Sequence, residues 1–108
     1  MTTVQPGDAE YDELAADMKA RGATMGAMFG RRALKRQGRV FALLQDGALC
    51  VSLGEGTREH AEALGLPGAA LFDPSRRGRP FKDWVAIPVE QVDHWMPFAA
   101  VAYAHVAE

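Results

Sequence analysis

The dipeptide Asp46-Gly47 constrains this chain more than any other feature. It stands between two runs of strand-forming residues, Arg39 to Gln45 and Ala48 to Leu53. Asp-Gly is favoured in the two-residue type I′ turn because both central positions need a positive φ. That turn fixes a register: Gln45 with Ala48, Leu44 with Leu49, Ala42 with Val51 and Val40 with Leu53. One face then carries Val40, Ala42, Leu44, Leu49, Val51 and Leu53, all apolar. The other carries Phe41, Leu43, Gln45, Ala48, Cys50 and Ser52. A one-residue slip would scramble both sets, so turn chemistry and apolar pattern support each other. Phe41, Leu43 and Cys50 make the second face too apolar for water. It is the expected site of helix cover or of a second subunit.

The rest of the chain supplies elements around this hairpin. Pro6-Gly7-Asp8 breaks the chain and offers Asp8 as an N-cap. Tyr11, Leu14, Ala15 and Met18 recur at helical spacing, which predicts a helix from Ala9 to Arg21, ended by Gly22. Met25 to Lys35 reads as one strand interrupted by Gly26 and Gly30, with a turn at Gln37-Gly38. Thr57 caps a short helix, Arg58 to Leu64, with Ala61 and Leu64 expected inward; Gly65 and Pro67 end it. Short strands follow at Ala69 to Phe72 and Trp84 to Val89. A turn-rich basic loop, Asp73 to Pro80, lies between them. Pro97 fits the first turn of a last helix, Pro97 to Ala107. The order is α-β-β-β-α-β-β-α. Short turns imply antiparallel pairing. Helices mainly on one face of such a sheet make a two-layer α+β domain.

Length and composition narrow the functional classes. At 108 residues the expectation is one domain, 1–108. With 48% hydrophobic and 24% charged residues it can bury a core unaided. A net charge of -2 gives no global field for nucleic acid or membrane. One cysteine allows no internal disulfide and no cysteine-based zinc site, and it fits a reducing compartment. The first residues lack a basic start and an apolar run, and no stretch is long enough for a membrane span. A cytoplasmic location is the expectation.

Several segments together resemble a known family. They are Met28-Phe29-Gly30, Gly38-Arg39-Val40-Phe41-Ala42, the Asp46-Gly47 turn, Phe72-Asp73-Pro74, Gly78-Arg79-Pro80 and Trp84-Val85-Ala86-Ile87-Pro88. Their order and spacing, from Tyr11 to the last helix, are similar to the N-terminal domain of the TfoX/Sxy family. Arg31 stands where many relatives have a second glycine. The resemblance implies a curved antiparallel sheet, here of about five strands, in a domain that often self-associates. Full-length members are linked to transcriptional regulation of natural competence, and they carry a further C-terminal helical domain suited to nucleic acid. A stand-alone domain of the N-terminal kind, of bacterial type, is the expectation for this chain.

Two basic segments are the best binding candidates. Arg31, Arg32, Lys35, Arg36 and Arg39 lie around the first strand turn. Arg76, Arg77, Arg79 and Lys82 lie in the loop beside Phe81 and Trp84. Brought together, Arg31, Arg32, Arg36, Arg76, Arg77, Arg79, Lys82 and Trp84 would form an anion or partner site. Kept apart, they are solvated edges that discourage aggregation. His60, His94 and His105 have no cysteine or carboxylate at ligand spacing. Cys50 sits mid-strand with nothing beside it to lower its pKa, and reads as a small buried apolar residue. Gly54-Glu55-Gly56-Thr57 lacks the lysine of a phosphate loop and reads as a loop and cap. Trp84 and Trp95 are core residues or interface anchors. No nucleophile–base pair or metal set assembles, and no cofactor is implied. The expectation is a non-catalytic interaction or regulatory module, acting as a homodimer and binding a protein partner. Small-anion or nucleic-acid binding through residues 31–39 and 76–82 is the alternative.

Overall fold

A computed structural model describes residues 6–74, 78 and 80–106. It is an α+β domain with one six-stranded antiparallel sheet. The elements are α1 (Asp8–Ala20), β1 (Thr24–Met28), β2 (Arg31–Arg36), β3 (Arg39–Gln45), β4 (Ala48–Ser52), α2 (Arg58–Leu64), β5 (Ala70–Phe72), β6 (Phe81–Pro88) and α3 (Trp95–His105). A 3-10 stretch, Val89–His94, leads into α3. The sheet order is β1-β2-β3-β4-β6-β5. Among the described residues, no helix is long and apolar enough to cross a membrane.

Three successive hairpins build the first two thirds of the sheet by one device. Asp46-Gly47 has φ values of 51° and 79°, Gln37-Gly38 50° and 83°, and Phe29-Gly30 54° and 72°. All six residues occupy the left-handed region that a type I′ turn requires. The first two turns are those expected. The third divides the single strand expected over Met25 to Lys35 into β1 and β2, which is why there are six strands and not five. Phenylalanine is an unusual residue at a positive φ. Its ring explains its presence, as shown below.

The central register is the expected one. Gln45 pairs with Ala48, Leu44 with Leu49, Leu43 with Cys50 and Ala42 with Val51. Val40 does not pair with Leu53, because β3 is irregular there. On the β2 side Leu34 pairs with Ala42 and Lys35 with Val40, so Phe41 has no residue opposite it. This bulge exchanges the two side chains across the sheet. Phe41 turns to the helix side, edge-on to Tyr103 of α3 with ring centroids 5.3 Å apart. Val40 turns to the other face. Phe41, Leu43 and Cys50 therefore do not share a face, and the assignment made from alternation is corrected at Val40 and Phe41.

Two cores result. The larger lies between the sheet and the helices. It holds Tyr11, Leu14 and Met18 of α1, Phe41, Leu44, Leu49, Val51 and Ile87 of the sheet, and Trp95, Ala99 and Ala102 of α3. The Trp95 indole N–H donates to Ile87 O at 3.0 Å and Pro88 O at 3.2 Å, so this fully buried ring leaves no donor unsatisfied. Pro97 lies in the first turn of α3, where no N–H is needed. The second core holds Ala33, Leu43, Cys50, Phe72 and Trp84. Neither a helix nor a second subunit is needed to bury it. Phe29, at the β1–β2 turn, reaches Phe72 and Phe81 from the far end of the sheet, at 6.3 Å and 5.6 Å. The sheet curls around this inner face without closing into a barrel, and Phe29 joins its ends.

Helix α2 has the expected bounds and its Thr57 cap, whose side chain accepts from His60 N. Its buried face is His60 and Ala63, not Ala61 and Leu64. The His60 Nε2–H donates to Lys82 O at 2.7 Å, pinning α2 to the start of β6. That hydrogen bond satisfies the buried imidazole and fixes the roll of α2, which leaves Leu64 37% exposed.

Candidate interaction edge

Most of the basic residues nearest the β2–β3 turn are used inside the fold. Arg32 pairs with Asp8 and Asp12 of α1 and lies over the Tyr11 ring, 4.6 Å from its centroid. Burial draws the Arg32 pKa down, but the hydrogen bond and charge of Asp12 outweigh it and the net shift is upward. Arg36 donates to Tyr103 O at 2.9 Å and stacks 4.1 Å from the Tyr103 ring centroid. Arg39 donates to Val106 O at 3.3 Å. These two arginines satisfy carbonyls at the end of α3, where positive charge is also favourable to the helix dipole. Arg36→Ala is expected to cost about 1–2 kcal/mol by urea denaturation, and Arg36→Lys to recover only part of it. A neutral Arg36→Ala would show that the contact carries no stability.

Arg31 and Lys35 are different. They alternate with Arg32 and Arg36 along β2, on the side of Ala33 and the inner core. Arg31 donates to Phe29 O at 2.9 Å, within its own turn. The Lys35 stem lies over Gly26 of β1. A Cβ built at Gly26 would stand 2.6 Å from Lys35 Cε and 3.2 Å from Nζ. Gly26 is therefore the slot that seats this side chain. Among the described residues, no carboxylate forms an ion pair with Arg31 or Lys35. Arg31, Arg32 and Arg36 thus do not form one patch. Arg76, Arg77 and Arg79 lie outside the described residues, and Lys82 is exposed at the start of β6. Trp84 belongs to the inner core, 5.7 Å from Phe72.

Among the described residues, the edge of β1 beside the Lys35 side chain is open. β1 is the first strand in the sheet order and, among the described residues, pairs only with β2. Its residues are Thr24, Met25, Gly26, Ala27 and Met28, with no charge and no proline. Sheet edges are usually blunted by charge, proline or a bulge, because free N–H and C=O groups template pairing with another chain. The other edge, β5, has three residues and an irregular pairing with β6. Met28 and Arg31 flank the two-residue turn and form its closing hydrogen-bonded pair. Antiparallel pairs alternate, so the free backbone groups of β1 belong to Met25 and Ala27. Met25 and Phe29 are 54% and 48% exposed, the two most exposed large apolar side chains among the described residues. The sequence pattern gave no sign of this edge, because which strand lies outermost is a property of the whole sheet.

The remaining candidates are mostly taken up within the fold. Cys50 is 1% exposed, and burial pushes its thiol up to about 12 while Arg31 pulls weakly down. Burial likewise pushes Tyr11 up to about 12. Both groups keep their protons in the folded chain at pH values where an unfolded chain has released them. Folding stability is therefore expected to fall as pH rises from about 9 to 12, by at most about 1.4 kcal/mol per pH unit for each group. Cys50→Ala should flatten that slope in denaturation curves measured across the alkaline range. An unchanged slope would contradict the burial assigned to the thiol. Glu55 N donates to Asp83 Oδ1 at 2.8 Å, so the loop before α2 is engaged within the chain. One cavity of about 430 Å³ is lined by Leu53, Thr57, Glu59, Val101, Ala104 and His105. Another of about 150 Å³ is lined by Glu10, Glu13 and Asp17 with Leu14, Val92, Trp95 and Met96. Among the described residues, no three histidine, cysteine, aspartate or glutamate side chains are placed to hold a metal ion. No family model, curated protein or solved structure matches this chain.

Proposed function

We propose that this chain is a non-catalytic interaction module that recruits another polypeptide through the open edge of β1. The observation that carries the reading is an uncharged five-residue edge strand with exposed Met25, whose outward backbone groups follow from antiparallel alternation. Strand addition to such an edge is a recurring way to bind extended segments. The likeness to the TfoX/Sxy N-terminal domain supports a regulatory setting, and any link to transcription or competence follows from that likeness alone. Self-pairing as a homodimer is one form of this reading. Centred on Gly26, such a pair brings two Lys35 side chains together, which is unfavourable. The anion or nucleic-acid alternative has less support, since Arg32, Arg36 and Arg39 are engaged with α1 and α3.

A photo-crosslinking residue at Met25, in cells that make the full chain, tests the proposal. An adduct with a polypeptide is expected there and none at Asp93, an exposed control far along the chain. Equal adducts at both positions, or none at Met25, would overturn it.

A further inference from the structure

We infer that the segment recruited by β1 is an extended strand with carboxylates on one face, supplied by a different protein. This rests on the proposed use of the β1 edge and adds the chemistry of its occupant. Along β2, Arg31 is opposite Met28 and Lys35 is opposite Thr24. Both are on the inner-face side of the sheet, four residues apart, and neither has an acidic partner among the described residues. Four residues of strand span roughly 13 Å. The slot at Gly26 seats the Lys35 stem over β1, its ammonium 3.2 Å from where a Gly26 Cβ would stand, and a strand added to β1 runs only about 4.8 Å further on. Any partner strand thus meets positive charge along one of its faces. β1 brings no charge of its own to answer it. Side chains on one face of a strand recur every second residue. A partner with glutamate or aspartate at alternate positions meets the Lys35 ammonium over β1 and runs toward the Arg31 charge held at the turn. On the helix side the corresponding cation, Arg32 opposite Ala27, is already neutralised by Asp8 and Asp12. The partner's second face needs no charge there and can be apolar against Met25.

Two fluorescent peptides test this, one alternating valine with glutamate and one alternating valine with lysine. Binding to the full chain is read by anisotropy at low and physiological salt. The glutamate peptide is expected to bind about tenfold tighter than the lysine peptide, with the gap narrowing as salt rises. Lys35→Glu should reverse the preference. Ala27→Pro should abolish binding of both, because its N–H faces away from β2 and the fold can accept the proline. Circular dichroism confirms that each variant is folded. Equal affinity of the two peptides, lost on Ala27→Pro, would overturn the acidic chemistry and leave the edge reading standing. Binding of neither peptide at millimolar concentration would overturn both. A wild-type dimer that Ala27→Pro dissociates would also overturn this inference, by showing that a second copy occupies the edge.

Discussion

Phe41→Ala is expected to cost about 3–5 kcal/mol of folding stability, whereas Val40→Ala costs only about 1 kcal/mol. The difference follows from the bulge. Alternation from the Asp46-Gly47 turn would put Val40 in the main core and Phe41 outside it. The bulge puts the Phe41 ring against Tyr103 and turns Val40 to the inner face, where it stays partly exposed. Domains of this size are stable by only about 5–15 kcal/mol, so losing Phe41 removes a large share. Urea denaturation of the two variants decides the matter. A larger loss at Val40 than at Phe41 would mean that the irregularity in β3 lies elsewhere.

Phe72→Ala is expected to have an effect of similar size, about 3–5 kcal/mol, with a second consequence. Phe72 touches Phe29, Phe81 and Trp84, so it is the centre of the clasp that holds the two ends of the sheet together. Without it the curl loosens over Cys50. Thiol alkylation, blocked in the wild type by complete burial, should then accelerate under conditions where the chain is still folded. A destabilised variant whose Cys50 stays unreactive would show that the inner core is buried by something other than this clasp. Phe29 belongs to the same cluster, which accounts for a bulky ring at a positive φ: the strain of the turn, about 1 kcal/mol, is offset by aromatic contacts.

The two-layer α+β arrangement and the central register were legible because local signals and apolar pattern coincided. Asp46-Gly47 named the turn type and the flanking residues agreed with it. Thr57 before Arg58 named the start of α2. What escaped sequence reading depends on partners distant in the chain. Phe29-Gly30 is a turn without a turn-forming first residue, and its ring is explained only by Phe72 and Phe81. The bulge at Phe41 exists in relation to β2. His60 is inward because Lys82 O is there to accept from it. For the candidate site, sequence reading found the basic residues but not their division. Arg32, Arg36 and Arg39 pair with groups on α1 or at the end of α3, and only Arg31 and Lys35 remain at the inner-face rim. Gly26 looked like an interruption in a strand, whereas it is the slot that seats Lys35 over β1.

Amide hydrogen exchange at Met25 and Ala27 tests the central claim most directly. In the free chain these two amides should exchange much faster than that of Gly26, which β2 protects. Addition of the valine–glutamate peptide should slow both, leaving the amides of α2 unchanged. Unaltered exchange at Met25 and Ala27 with the peptide bound would contradict pairing at the β1 edge.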